Sequence, residues 1–330
     1  MQQDGVLYLT ERDVVSVLDM PAAIDALAGM LAAQGRQAVK NVPKALGTWG
    51  DSCSMHALGS VMTEGGQCGF KTWVHTPRGG GSMFSLFDAD TGRLQALIEA
   101  RALGMMRTAA ISGVATRALA PREARVAALI GTGPQAVTQL AALAAVQELD
   151  EVRVYSPTAE KRAAFVAKLA PRYGFALRDC ASLQAAMDGA GIVTTITRAT
   201  DPFITPELMQ SCRHINAVGA ILPAKAELEQ AVVQSADLIV VDDRDNALRG
   251  SRELRERFGA EAAAWGEVSS LSERLAQGIG RPDGARLTLF KGMGMGLSDL
   301  AMATTVYQRA VERGLGIALP AQTRQNLLLD

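Results

Sequence analysis

The most regular feature of the sequence is an alternation of short apolar runs with amphipathic stretches over its second two-thirds. Apolar runs predict strands, and stretches with helical periodicity predict helices between them. In chain order these segments are 125–130, 134–147, 152–156, 158–170, 175–179, 182–188 and 191–197. Further apolar runs at 214–218, 237–242 and 286–290 continue the series. Because strands separated by helices form parallel sheets, we expect an α/β fold with a Rossmann-type doubly wound parallel sheet.

The first third of the chain has a different pattern. Thr10 and Asp13 have the spacing of a helix cap, and a second helix is predicted from Ala22 to about Gln37. Short strand-like runs follow at 52–57 and 69–74. They predict a smaller α+β domain built on a small antiparallel sheet.

Two further elements complete this part of the chain. Segments 82–88 and 94–99 predict a hairpin around an Asp-Thr-Gly turn, and a helix follows from about 102 to 119. Pro121 ends that helix, so we expect a domain boundary near residue 120. The prediction is one domain of residues 1–119 with about 312–330, and a Rossmann domain of 120–311.

A glycine turn follows the first predicted strand of the Rossmann domain. Gly131 permits a tight turn, Gly133 lets the backbone approach a pyrophosphate, and Ala136 lets the helix pack closely on the strand. The start of the helix supplies free N–H groups and a positive dipole end. In its parallel-sheet context the turn predicts a bound dinucleotide. The predicted cofactor contacts here are Gly131, Thr132, Gly133, Pro134, Gln135 and Ala136.

The end of the second Rossmann strand indicates which dinucleotide is bound. NAD-selective sites carry a carboxylate there for the ribose hydroxyls, but this strand ends in Ser156-Pro157-Thr158. Ser156, Thr158, Lys161 and Arg162 are donors suited to a 2′-phosphate. The prediction is therefore NADPH, with NADH as the alternative if Lys161 and Arg162 are ordinary solvated helix residues.

Composition narrows the class of function. The 330 residues carry a formal net charge of −1 with 20% charged residues, which excludes a basic face for nucleic acid. The N-terminus has no basic segment followed by an apolar core, and no apolar run reaches the about 18 residues of a spanning helix, so we expect a cytoplasmic protein without membrane contact. Cys53, Cys68, Cys180 and Cys212 lack paired spacing. We expect reduced buried thiols and no metal.

Several stretches together resemble the ornithine cyclodeaminase/mu-crystallin family across nearly the whole chain. They are the glycine turn 131–136, Leu103-Gly-Met-Met-Arg-Thr-Ala-Ala110, Gly69-Phe-Lys-Thr-Trp73, Asn216-Ala-Val-Gly-Ala220, and 291–300. The resemblance implies a homodimer in which the smaller domain binds substrate and the partner subunit beside the Rossmann domain. Activities in the family diverge, so membership alone does not name a reaction.

One position separates the family's reactions. In the cyclodeaminases of the family, the corresponding segment resembles Gly-Gly-Asp-Cys-Pro-Gly-Lys. Residues 219–225 of this chain have Ile221 in place of the aspartate. An aliphatic side chain can neither accept a proton nor pair with the ammonium of ornithine. Losing a positioned acid–base group lowers the reaction rate about 10²–10⁴-fold. An apolar wall suits a substrate that is already cyclic. Family reductases of Δ1-pyrroline-2-carboxylate and Δ1-piperideine-2-carboxylate are similar here, which predicts an NAD(P)H-dependent ketimine reductase forming L-proline or L-pipecolate.

Two alternatives stay open. The first is an ornithine cyclodeaminase or an alanine-type amino-acid dehydrogenase. The second, of another class, is a mu-crystallin-like protein that binds NADPH and a small ligand without turnover. The ring size of the substrate is left undecided by the sequence.

The resemblance also implies roles for individual residues. Arg107 captures the substrate carboxylate through its planar fork, and Lys71 binds the carboxylate or protonates the imine nitrogen. Lys44 is a third cation, and His56 lies in the pocket unless it is a structural histidine, as expected of His75 and His214. The resemblance also implies cofactor contacts from Thr108, Thr197, Val218, Gly219, Met293, Ser298 and Asp299.

Overall fold

The structure is a computed structural model that describes residues 5–50 and 52–323. The strands are β1 Val6–Leu9, β2 Val39–Trp49, β3 Cys53–Met62, β4 Gln67–Thr76, β5 Gly79–Asp88, β6 Leu94–Glu99, β7 Val126–Ile130, β8 Glu151–Tyr155, β9 Ala176–Asp179, β10 Ile192–Thr195, β11 His214–Ala217, β12 Leu238–Val241, β13 Val268–Ser270, β14 Thr288–Lys291 and β15 Ile317–Leu319. The α-helices are α1 Glu11–Val17, α2 Met20–Gly35, α3 Arg101–Leu119, α4 Pro134–Val146, α5 Ala159–Leu169, α6 Leu183–Met187, α7 Gln230–Gln234, α8 Arg244–Gly250, α9 Arg252–Phe258, α10 Leu271–Ala276 and α11 Gly296–Arg313.

The chain divides into two compact units. Within the described residues the first unit comprises 5–19, 37–50, 52–104 and 296–323, and the second comprises 20–36 and 105–295. These limits differ from the predicted boundaries near 120 and 312. Helix α2 belongs to the second unit because it packs against α4 and α10, and α11 belongs to the first because it packs on β2 to β5. The predicted domain ends at 1–4 and 324–330 lie outside the described residues.

The first unit is built on a seven-stranded mixed sheet. Its order is β15-β1-β6-β5-β4-β3-β2, with β1 parallel to β6 and the other neighbours antiparallel. The predicted hairpin is confirmed as β5 and β6, and the predicted cap of α1 is a capping box between Thr10 and Asp13. Phe84 and Ile98 are fully buried in register with Lys71, so they lie on the same face of the sheet.

The second unit is built on the predicted doubly wound parallel sheet. Eight parallel strands have the order β13-β12-β14-β11-β10-β7-β8-β9, so the direction of winding reverses between β10 and β7. The elements α8, α9, β13 and α10 were not predicted, because each has seven residues or fewer and is too short for a clear period. The reversal positions a ligand crevice at the carboxyl ends of the strands.

Two other sequence expectations bear on the fold. No single helix in the described part of the chain is long and apolar enough to cross a membrane, and only α1 with α2, as a bent pair, meets that criterion. All four cysteines are free. Cys180 and Cys212 are buried as expected, whereas Cys53 and Cys68 are partly exposed because they lie on the strands β3 and β4 of the first sheet.

Candidate functional site

The turn after β7 has the backbone conformation that its glycines predict. Gly131 has φ 123°, and a β-carbon there would lie 2.6 Å from the carbonyl oxygen of Ile196. Gly133 is the N-cap of α4, makes no side-chain cap, and has nothing within 4 Å of an added β-carbon. Ala136 is fully buried and packs in the core as expected. The start of α4 therefore presents uncapped N–H groups beside open space.

A cavity of about 1000 Å³ lies in the second unit at this turn. It is lined by residues from the carboxyl ends of several parallel strands, as the fold predicts. The predicted site residues among its lining are Arg107, Thr108, Gly131, Thr132, Gly133, Pro134, Gln135, Ser156, Thr158, Thr197, Val218, Gly219, Ile221 and Met293. Fourteen predicted positions that are scattered along the sequence thus line one cavity.

The residues present fit a dinucleotide. The side-chain Oε1 of Gln135 is buried and makes no hydrogen bond with any described residue. Gly133 leaves the space of a side chain open beside the helix start. A dinucleotide fits both features. Its pyrophosphate oxygens accept from N–H groups and need close approach of the backbone, and its ribose hydroxyls are donors for an unpaired carbonyl oxygen such as Oε1 of Gln135.

The end of β8 holds the predicted determinants of cofactor choice. Ser156 is buried at the cavity and its hydroxyl accepts a hydrogen bond from Thr132 Oγ1 at 3.0 Å. Lys161 is exposed and lines the cavity. Arg162 differs from the expectation: it is buried, pairs with the carboxylate of Asp179, and donates to the carbonyl of Ser156 at 2.7 Å. The guanidinium of Arg162 therefore stabilises the end of β8. Of the two cations Lys161 and Arg162, Lys161 is the one that lines the cavity.

Glu227 supports the cavity wall from below and was not predicted. Its fully buried carboxylate accepts hydrogen bonds from the N–H groups of Thr197 and Gly219 at 2.8 and 2.9 Å. A β-carbon on Gly219 would lie 2.3 Å from Glu227 Oε1. No spacing in the sequence marks this residue, because Thr197 and Gly219 follow two different strands, β10 and β11.

Asp242 supports a second segment of the wall and was also not predicted. It accepts hydrogen bonds from the N–H groups of Met293 and Gly294 at 2.9 and 2.7 Å. Burial raises the pKa of Asp242 to about 6, against the opposing effect of these donors. A β-carbon on Gly294 would lie 2.6 Å from Nη1 of Arg107, so this loop passes directly beside the guanidinium. A carboxylate placed directly after an apolar strand was the available signal.

Lys71 lies in the first unit on β4. It is buried, its Nζ is 3.2 Å from Oδ1 of Asp299, and it lies 5.4 Å from the ring centre of Trp73. Ser298 and Asp299 were expected at the cofactor, but both are buried on α11 in the first unit and are not among the cavity's lining residues. Asp299 lies in the first turn of α11, where its carboxylate forms an ion pair with the ammonium of Lys71.

Trp73 organises the other predicted residues of the first unit. The ring of His56 stacks on it at 4.5 Å with an interplanar angle of 4°, and Lys44 Nζ lies 5.7 Å from its centre. Burial, then Lys44 and His75, lower the pKa of His56, which favours its neutral form. Trp73 was not predicted as a site residue, although it lies two positions after Lys71 and so shares its face of the strand.

His214 has the structural role expected of it. It is fully buried between Thr288 Oγ1 at 2.8 Å and Asn216 Oδ1 at 3.2 Å. Burial lowers its pKa to about 3, so the ring is neutral. His75 is exposed on β4.

A doubly wound sheet with a cavity of this kind at its reversal point is typical of dinucleotide-binding oxidoreductases. The chain belongs to the ornithine cyclodeaminase/mu-crystallin family, whose profile matches residues 13–314. The predicted family, fold class and nicotinamide cofactor are thereby confirmed.

Three proteins are similar to the chain in sequence or in structure. A Δ1-pyrroline-2-carboxylate reductase of Bacillus cereus is 35% identical over 238 residues, which are 70% of this chain and 71% of the relative. The solved iminosuccinate reductase of Paracoccus denitrificans with NAD+ has a TM-score of 0.87 and 26% identity, covering 96% of this chain and 99% of its own. An archaeal alanine dehydrogenase dimer with bound NAD has a TM-score of 0.86 and 26% identity, covering 95% and 98%.

Proposed function

We propose that the protein reduces Δ1-pyrroline-2-carboxylate to L-proline with NADPH, and accepts Δ1-piperideine-2-carboxylate as a second substrate. The observation that carries the proposal is Ile221. Ile221 lines the cofactor cavity together with Val218 and Gly219. By the family resemblance, cyclodeaminases carry an aspartate at this position. An aliphatic wall has no partner for the free ammonium of ornithine, whereas it suits a flat ring without one.

Reduction of the imine needs a held carboxylate and a proton for the nitrogen. The nicotinamide supplies the hydride to the imine carbon. Arg107 has the planar fork for the carboxylate, and the Asp242-supported loop at Gly294 restricts where that fork points. Lys71 is the proposed proton donor. Its buried ion pair with Asp299 holds the ammonium group in one orientation.

Lys44, His56 and Trp73 are proposed to complete the substrate surface of the first unit. The stacked pair of rings is a flat aromatic surface, and Lys44 adds a positive charge beside it. Because His56 is held neutral, we assign it a packing and hydrogen-bonding role, with Ser54 Oγ 2.9 Å from its Nε2.

The preference for NADPH is supported by the end of β8. Ser156 offers a hydroxyl where an NAD-selective site offers a carboxylate, and Lys161 offers a mobile charge at the cavity. Cytoplasmic localisation stays a prediction.

Homodimer formation is proposed from one face of the first sheet. Met55 and Val74 are directly opposite on β3 and β4, and Phe70 lies on the same face; all three are exposed apolar side chains. An apolar face of this kind on a sheet marks an interaction surface. A second copy of the chain is the proposed occupant.

A panel of substrates tests the proposal. NADPH consumption is measured with the five- and six-membered cyclic imines and with pyruvate plus ammonia, and ammonia release is measured with ornithine and NAD+. We expect consumption with the cyclic imines at a kcat/KM at least about 100-fold above the other substrates. Ammonia from ornithine contradicts the role given to Ile221. NADPH binding without consumption of any imine supports the binding-protein alternative.

A further inference from the structure

Glu227 is held entirely by neutral donors. Besides the N–H groups of Thr197 and Gly219, its carboxylate accepts from Thr195 Oγ1 at 2.8 Å, Thr197 Oγ1 at 2.7 Å and Ala220 N at 3.3 Å. No lysine or arginine of the described chain lies within ion-pair distance of it. Both oxygens act only as acceptors, which is the hydrogen-bonding pattern of a carboxylate anion, so its negative charge lies next to the cavity lining.

The neighbouring buried charges leave that negative charge uncompensated. Glu253 Oε1 accepts from the backbone N–H of Glu227 at 3.0 Å, and Glu253 Oε2 lies 2.9 Å from Lys291 Nζ. Glu253 and Lys291 are both buried and neutralise each other. The three residues, which we call the buried trio, therefore carry a net charge of −1.

Glu227 of the trio is hydrogen-bonded to two residues that line the cofactor cavity. In a doubly wound fold the pyrophosphate lies at the glycine turn, and the adenosine extends toward the end of β8. The residues at the ends of β10 and β11 would therefore hold the nicotinamide half. Thr197 and Gly219 line the cavity there, and both bond to Glu227.

We propose that the buried trio of Glu227, Glu253 and Lys291 makes the cavity bind the oxidised cofactor more tightly, relative to the reduced cofactor, than an uncharged wall would. The oxidised nicotinamide ring carries a positive charge and the reduced ring is neutral. A net negative charge in a protein interior stabilises the cationic ring selectively. Glu227 is thus a positioning residue for the loops at Thr197 and Gly219, and its charge raises the hydride-donating tendency of the bound reduced cofactor. This inference rests on dinucleotide binding and not on the proposed substrate.

The test compares the dissociation constants of NADP+ and NADPH in the absence of substrate. Calorimetry measures both constants, and the fluorescence of the reduced nicotinamide gives a second measurement for NADPH. Glu227→Gln raises the charge of the trio from −1 to 0 and keeps the size of the side chain. We expect the ratio of the NADP+ constant to the NADPH constant to rise about tenfold, which corresponds to about 1.4 kcal/mol. A purely structural role weakens both forms equally and leaves the ratio unchanged.

Two further variants keep the test decisive if Glu227→Gln folds poorly. Glu253→Gln also brings the trio to 0, keeps an acceptor for the N–H of Glu227, and is expected to raise the ratio in the same direction. The double variant Glu253→Gln with Lys291→Met removes the ion pair but leaves the net charge at −1, so its ratio is expected to match the unmodified protein. An unchanged ratio in both single variants, or a rise in the double variant equal to theirs, overturns the proposal.

Discussion

Gly219 has no β-carbon, and the carboxylate of Glu227 takes up that space: an added β-carbon would lie 2.3 Å from Glu227 Oε1 and 2.4 Å from the backbone nitrogen of Thr197. The carboxylate thereby reaches the N–H groups of two different loops at once. The part of the cavity lining at Thr197 and Gly219 is held by this carboxylate, which lies eight positions after Gly219 in the chain.

Replacing Gly219 with alanine is expected to strain this contact. The added methyl group displaces either the carboxylate or the Thr197 loop, and overpacking of this kind costs about 1–3 kcal/mol. The free energy of unfolding should fall by that amount, and the dissociation constant of NADPH should rise. Gly174→Ala is the matched control, because nothing lies within 4 Å of its added β-carbon. Equal stability of the two variants would contradict the tight contact.

Asp242 predicts a dependence of stability on pH. Burial raises its pKa from 3.8 to about 6, so the folded state binds a proton more readily than the unfolded chain does. Its contribution to stability is therefore present below about pH 4 and is lost as pH rises through 6. Subtracting the unfolding free energy of Asp242→Asn from that of the unmodified protein should give a difference that falls by up to about 3 kcal/mol between pH 4 and pH 8.

Asp237→Asn is the control for that measurement. Hydrogen bonds from the N–H groups of Leu287 and Arg286 lower the pKa of Asp237, so its contribution is present above the unfolded pKa and lost as pH falls. The two differences should change with pH in opposite directions. A pH-independent difference for Asp242→Asn would refute the assigned environment.

Lys161 is expected to select the phosphorylated cofactor. Lys161→Ala should lower the ratio of kcat/KM with NADPH to kcat/KM with NADH by about tenfold, since it removes a charge-assisted contact to the 2′-phosphate. Lys168→Ala, an exposed lysine on the same helix, is the control and should leave the ratio unchanged. Arg162→Gln should instead reduce stability, because it breaks the pair with Asp179. The assignment fails if Lys161→Ala and Lys168→Ala behave alike.

The apolar face at Met55 and Val74 is expected to bury itself between two copies of the chain. Val74→Glu puts a charge into that face and should shift the protein toward the monomer in sedimentation velocity at micromolar concentration. Val15→Glu, at an exposed apolar position on α1, is the control and should leave the assembly unchanged. A monomeric unmodified protein, or a Val74→Glu variant that remains dimeric, argues against this interface.

The parts predicted from sequence are those specified by local pattern. The glycine turn at Gly131, the capping box at Thr10 and the strand–helix alternation each depend on residues close in the chain, and all are confirmed. The association of α2 with the second unit was not predictable in this way. It depends on packing against α10, more than two hundred residues later.

The site residues likewise fall into those that the sequence pattern predicts and those that it does not. The cavity residues at the ends of strands follow from the fold, since parallel strands bring their carboxyl ends to one edge. Glu227 and the stacked pair of His56 and Trp73 depend on three-dimensional neighbours that have no spacing in the sequence. Arg162 shows the converse, because a cation of the expected type at the expected position pairs with Asp179.

The central claim is that hydride passes from the nicotinamide to the imine carbon of a cyclic imino acid. It is tested most directly by incubating the protein with Δ1-pyrroline-2-carboxylate and NADPH deuterated at the transferable position of the nicotinamide, and locating the deuterium by NMR. We expect L-proline with one deuterium at C2 and consumption of one NADPH for each proline formed. NADPH that remains unconsumed, or proline without deuterium at C2, would contradict it.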